Sequence, residues 1–178
     1  MHEKLRRVTA EEFYVAIKQA MAGDSRECFL SDYSQVNYEM MVTVLMYNDQ
    51  AGFALKGDNL ANIFSSRQNP VKQSLDIMMP SVLSFGVTKL DCFGEDLCRK
   101  YAKYGFVAVA VTRFLDEYAP RNWDYGKFGR PAVYFMAQAQ KLPKGSLNNV
   151  TESVPYLSYD EAWAYRERLL GVGASDCC

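Results

Sequence analysis

The chain has 178 residues, of which 49% are hydrophobic and 23% charged, values that fit a globular protein and exclude a disordered tail or a fibrous repeat. This length favours one domain over two. Lys and Arg number 20 against 21 Asp and Glu, a formal charge of -1, and no like-charge run stands out, so binding to nucleic acid or an anionic membrane through bulk charge is not expected.

No stretch reaches the roughly 18 apolar residues that a membrane helix needs. The amino-terminal Met1-His2-Glu3-Lys4-Leu5-Arg6-Arg7 has no apolar signal core behind it, so a cytoplasmic location and no membrane partner are expected. Cys28, Cys92, Cys98, Cys177 and Cys178 lack the paired spacings of zinc sites and read as free thiols. The single histidine, His2, stands at the terminus, which removes Ser-His-Asp, Cys-His and histidine-ligated metal chemistry. Catalysis here must draw on carboxylates, tyrosines, thiols, backbone amides or a bound cofactor.

Thr9-Ala10-Glu11-Glu12 is a capping box, and Phe13, Ala16, Ile17, Ala20 and Met21 then recur at helical spacing up to Gly23, predicting a helix near 9–22. Within 24–41 a short helix is expected. Short β-rich runs follow at 42–47, 52–55 and 60–65, joined by turns at 48–50 and 56–59, which predict an antiparallel meander. Pro70 suits the first position of a helix over 70–85, with Val71, Leu75, Met78, Met79, Val82 and Leu83 as its buried stripe and Pro80 expected to kink or divide it. A strand at 88–93 completes a β-α-β crossover, which calls for parallel strands.

Glu95 and Asp96 open a further helix, which buries Leu97, Tyr101 and Tyr104 and stops at Gly105. Strands at 106–114 and 132–136 flank a loop over 115–131, long enough to point to a functional role. Residues 141–157 read as a polar connector. Ser158-Tyr159-Asp160-Glu161 caps a final helix that runs to Leu170, and 172–178 is a tail. The fold class is α/β, a mixed, mostly antiparallel sheet with one central parallel β-α-β crossover. A main domain over 1–140 is expected, with the connector and last helix of 141–178 packed on it.

This order of elements resembles the GNAT superfamily of N-acetyltransferases over about residues 9–137. Leu97-Cys98-Arg99-Lys100-Tyr101-Ala102-Lys103-Tyr104-Gly105-Phe106 is its most telling piece, similar to the superfamily's short helix with a tyrosine ahead of Gly-Phe. Thr88–Phe93, Asp116–Pro120 and Trp123–Pro131 resemble a narrower branch associated with bacteriophages and prophages. The resemblance implies acetyl-coenzyme A as cofactor and an amine on a small molecule or protein as acceptor. Tyr101 would then donate a proton to the leaving thiolate, as a phenol can at neutral pH. Coenzyme contacts would come from Ile63, Phe64 and Ser65 at the strand end, from Arg67, Gln68, Asn69, Val71 and Lys72 after it, and from Tyr101.

A pyrophosphate is held best by backbone amides at a helix start, and 66–72 is the matching position. The superfamily's turn there is glycine-rich; here Arg67 is followed by Gln68, Asn69 and Pro70, leaving Arg67 and Lys72 to compensate by direct phosphate contacts. The same segment also reads as an ordinary strand-to-helix turn. The strand at 60–65 offers no carboxylate base, since Asn62 cannot abstract a proton; Asp58, Asp91, Glu95, Asp116 and Glu117 are the candidates to act through a water. By its position in the superfamily, 115–131 would border the acceptor, with Asp116, Glu117, Tyr118, Trp123 and Tyr125 as contacts among Arg121, Asp124, Phe128 and Arg130. A self-packed surface loop is the alternative. Two functions stay open: an acetyltransferase, and a catalytically silent binding module, such as a phage protein engaging a host or phage partner.

Overall fold

A computed structural model of the chain describes residues 4–120, 122–143 and 154–171. His2, Arg121, most of the connector and Cys177-Cys178 lie outside the described residues. Contacts divide the chain into two compact units, Met1–Val87 and Thr88–Cys178. The fold class is the expected mixed α/β one with mostly antiparallel strands.

In the first unit, β1 (Leu5–Arg7), β2 (Val42–Met46), β3 (Ala51–Lys56) and β4 (Asn59–Ser65) form an antiparallel sheet in sequence order. The meander is as the sequence predicts, whereas β1 is not: its basic Leu5-Arg6-Arg7 becomes a strand through pairing with Met46, Leu45 and Val44. Helix α1 (Ala10–Met21) starts at the predicted capping box, with Thr9 and Glu12 bonded reciprocally. It buries Phe13, Ala16, Ile17 and Met21 against Leu45, Ala54 and Phe64 of the sheet. The segment after it holds a 3-10 turn at Ser25–Phe29 and the short α2 (Gln35–Glu39), itself capped by Ser34 and Asn37.

Helix α3 (Ser74–Ser84) begins four residues later than predicted. The turn before it is closed by side chains, and Gln73 stands at φ 57°, a left-handed conformation that no helix can pass through. Pro80 does not divide the helix, which continues through it as one element at the cost of a backbone bond.

Gly52 lies opposite Leu45 in the β2–β3 ladder. A Cβ there would lie 2.5 Å from the Val44 carbonyl oxygen and 2.7 Å from Leu45 Cδ2. Backbone on one side and core on the other leave it no escape, so Gly52→Ala is expected to lose about 3 kcal/mol of stability in urea unfolding. A loss near zero would show that the β2–β3 ladder yields freely.

In the second unit, β5 (Lys89–Phe93) and β6 (Phe106–Thr112) pair antiparallel with the two edges of β7 (Val133–Gln138). Helix α4 (Gly94–Ala102) joins β5 to β6, and the loop after β6 contains a 3-10 turn at Asp116–Tyr118 and the single-turn α5 (Tyr125–Phe128). The predicted capping box of Ser158 and Glu161 opens α6 (Tyr159–Leu169), whose Ala162 packs with Val109, Ala110, Phe135 and Ala137. Just before α6 the chain runs beside β6: Val111 N–H donates to the Pro155 carbonyl at 3.0 Å, and Leu157 N–H donates to that of Val111 at 2.9 Å. No helix among the described residues is long and apolar enough to cross a membrane.

Candidate functional site

The segment 66–72 follows β4 as a turn knitted by its own polar groups. Ser66 Oγ accepts from Gln68 N–H at 3.2 Å, the Ser66 carbonyl accepts from Asn69 N–H at 3.1 Å, and Asn69 Oδ1 accepts from Val71 N–H at 3.0 Å. Buried Asn69 also takes a bond from Asn48 Nδ2 and gives one to Ser65 Oγ. Three amides that could have faced a phosphate are thereby spent inside the turn. Asn69 supplies the closure that glycine supplies by backbone freedom elsewhere. Arg67 and Lys72 remain exposed, and α3 begins without a side-chain cap, so its first-turn amides and dipole are the anion-favouring feature of this stretch.

Arg67 and Gln68 line a cleft of about 240 Å3 with Gly23, Asp24, Gln50 and Ser66, all within the first unit. The buried carboxylate of Asp24 is its electrostatic centre: Arg26 holds it through Nε at 3.1 Å and backbone N–H at 2.9 Å, while Arg67 Nε stands 3.5 Å away. The Arg26 side-chain bond, opposed by burial, holds Asp24 below its ordinary range. Arg67 is the looser partner, being 60% exposed. Asp24 and Arg26 were invisible as site residues in sequence, since nothing local marks a carboxylate that caps its own 3-10 turn and pairs with an arginine beyond β4.

Along β4, Asn62 and Phe64 face α1 and α2. Phe64 meets Phe13 edge-on at 5.7 Å and is a core residue, whereas Ile63 and Ser65, on the alternate positions, are half-buried. Asn62 Oδ1 accepts from Ser31 N–H at 2.9 Å, and its Nδ2 donates to the Ser31 carbonyl at 3.0 Å and to Tyr38 Oη at 2.8 Å. Asn62 is thus an anchor for the segment between α1 and β2. Burial, eased by the Asn62 bond, pushes the Tyr38 phenol up to about 12.

In the second unit Tyr101 lies on the inner face of α4, 7% exposed, with its ring 6.5 Å from that of Phe106. Burial, with the nearby Cys92 thiol adding to it, holds the phenol well above its ordinary value. Its hydroxyl makes no hydrogen bond among the described residues. A buried phenol that keeps its proton and has no partner is chemically available to an incoming acceptor atom. Cys92 itself is buried and raised by desolvation, and Cys28, Cys92 and Cys98 are free thiols.

The loop 115–131 is organised around Trp123. Its ring packs on Phe114 at 4.8 Å, Phe93 at 5.0 Å and Phe128 at 5.7 Å, and Nε1–H donates to the Gly129 carbonyl at 2.9 Å. Asp116 accepts from Arg130 through Nε at 2.8 Å and a terminal nitrogen at 2.9 Å, while the Arg130 guanidinium lies 4.8 Å over the Tyr125 ring. Tyr118 and Glu117 stand in solvent, whereas Tyr125 is held among Phe114, Arg130 and Asp116.

The candidate bases are differently disposed. Asp58 sits in the β3–β4 turn, Glu95 pairs with Arg99 at 2.6 Å, and Asp91 pairs with Arg166. Arg166, 2% exposed on α6, also donates to the Leu90 carbonyl at 3.0 Å, and its neighbour Glu167 takes Lys89 at 2.7 Å. Burial lifts Asp91 above its ordinary range, with the Arg166 charge pulling against it. This four-charge network, with Arg166 and Glu167 buried and Asp91 reaching the surface, is not marked by any local pattern in the sequence. Among the described residues no group of three or more His, Cys, Asp or Glu is placed to hold a metal.

No protein-family model matches the chain, and no curated protein does. Among solved structures it is similar to the apo form of YjaB from Escherichia coli, with 16% identity over 75% of this chain and 95% of that one and a TM-score of 0.48. It is also similar to an IAA acetyltransferase from Bacillus cereus ATCC 14579, with 12% identity over 75% of this chain and 97% of that one and a TM-score of 0.47. Both likenesses are remote.

Proposed function

We propose that the chain is a GNAT-like acyltransferase that moves an acetyl group from acetyl-coenzyme A to an amine. The observation that carries this reading is Tyr101, a buried phenol kept protonated by desolvation and without a hydrogen-bond partner among the described residues. Acetyl-coenzyme A supplies the acetyl thioester. The residues suited to its phosphates are Arg67 and Lys72, with the uncapped first turn of α3. Tyr101 holds a proton at Oη, where a departing thiolate would need one.

One observation favours the second reading, a silent binding module: the amides of Gln68, Asn69 and Val71 are already bonded within their turn. Thermal unfolding with millimolar acetyl-coenzyme A separates the two, because a ligand that binds only the native state raises its Tm. The acyltransferase reading expects a clear rise that Arg67→Ala reduces. No rise for the wild-type chain overturns it in favour of the binding module.

A further inference from the structure

We propose that the outer side of α6 is a dimer interface, through which two copies of this chain pack their α6 helices antiparallel about a two-fold axis at Ala164. The inner side of α6 is occupied: Ala162 and Leu169 pack with the cluster of Val109, Ala110 and Phe135, and Arg166 reaches Asp91. The outer side is open. Trp163 is 51% exposed and Tyr159 48%, and Asp160, Ala164 and Arg168 are exposed with them.

The rings supply the attraction. Tyr156, just ahead of the helix, is 63% exposed, so one short stretch holds three large aromatic side chains about half in water, a grouping that single scattered apolar residues do not make. Tyr159 is steadied by Phe135, edge-on at 5.1 Å, whereas Trp163 makes no ring contact or hydrogen bond among the described residues. Large aromatic side chains are the type enriched at the centres of protein interfaces.

The charges choose the partner. Asp160 lies one turn before Ala164 and Arg168 one turn after it, on a single helical row, and neither has an ion partner among the described residues. A row that is acidic at one end, small in the middle and basic at the other is complementary to itself run backwards. In an antiparallel pair Asp160 meets Arg168 of the partner subunit, and the two-fold symmetry makes that contact twice. Ala164 against its own equivalent lets the two helices approach closely. The same symmetry brings both Trp163 rings to one side of the seam, each beside its own Tyr159 on the adjoining row. A foreign helix of one charge sign would satisfy one end of the row and be repelled at the other. Because Ala162 and Arg166 lie on the opposite side of α6, pairing disturbs no buried contact.

One pair of 11-residue helices is a small interface, so half-association is expected at roughly 10–100 µM. Sedimentation velocity of the full chain, over a series from micromolar to millimolar, measures it. Asp160→Lys and Arg168→Glu each turn both cross-pairs into like charges, and each should weaken association by at least about tenfold. Mixed in equal amounts, the two variants rebuild both opposite-charge pairs and should recover association close to that of the wild-type chain. Ala164→Arg places a good helix former at an exposed position, so it should keep the wild-type Tm while blocking the crossing and abolishing the dimer. A wild-type chain that stays monomeric throughout overturns the proposal. So does a dimer indifferent to Ala164→Arg, or a mixture of the two charge variants that associates no better than either alone.

Discussion

Arg166→Ala is expected to cost about 2–4 kcal/mol of stability, the scale for emptying the site of a large buried side chain together with its hydrogen bond to a buried carbonyl, since the Asp91 it leaves behind is 31% exposed and can turn to water. The side chain is 2% exposed and serves three clients at once: the Asp91 carboxylate, the Leu90 carbonyl, and Glu167, whose Oε1 lies 3.6 Å from Arg166 Nε. Its stem also carries the guanidinium to 5.1 Å from the Phe135 ring. Alanine abandons all of these and opens a void under α6. Urea unfolding measures the loss. Arg166→Met combined with Asp91→Asn should recover more than half of it, because a neutral pair of similar volume leaves no unpaired charge. A loss below about 1 kcal/mol for the alanine variant would mean that apolar contacts such as Ala162, and not the charges, hold α6 to its sheet.

The largest effect on activity is expected from Tyr101→Phe. The ring and its contact with Phe106 are kept, and only the hydroxyl goes. If Oη delivers the proton to a departing thiolate, kcat falls by about a hundredfold, the lower end of what general-acid catalysis contributes, while the Tm rise given by acetyl-coenzyme A is unchanged. Thiol-release kinetics read the first quantity and thermal unfolding the second. An unaltered kcat would remove Tyr101 from the chemistry and leave the proton to solvent. A lost Tm rise would recast Tyr101 as a binding group.

What could be read from the residues alone is what is encoded locally. The boxes Thr9–Glu12 and Ser158–Glu161 cap their helices as their spacing predicts, and the turns of the first meander are written in Asn, Asp and Gly. The start of α3 misled because Pro70 suits a first helical position. The competing structure, a turn closed on Asn69 and ended by a left-handed Gln73, depends on a partner as distant as Asn48. β1 was hidden because three residues, two of them basic, become a strand only against β2.

Candidate site residues follow the same division. The inward placement of Tyr101 on α4 is visible in the period of its helix, whereas the Asp24–Arg26–Arg67 cluster and the Arg166 network join residues far apart in sequence. The resemblance sets Trp123 at the acceptor, whereas the structure shows it as a packing hub of Phe93, Phe114 and Phe128.

The stretch beside β6 has a bearing on how the molecule keeps to itself. β6 is the outermost strand of its sheet, with β7 on one side only. An outer strand with open N–H and C=O groups is a template on which another chain can add. Val111 has both its outward groups taken by Pro155 and Leu157, and the bridge it forms with Tyr156 is parallel. At this point the protein fills its own margin with a length of its own chain, and a foreign strand finds that position already occupied.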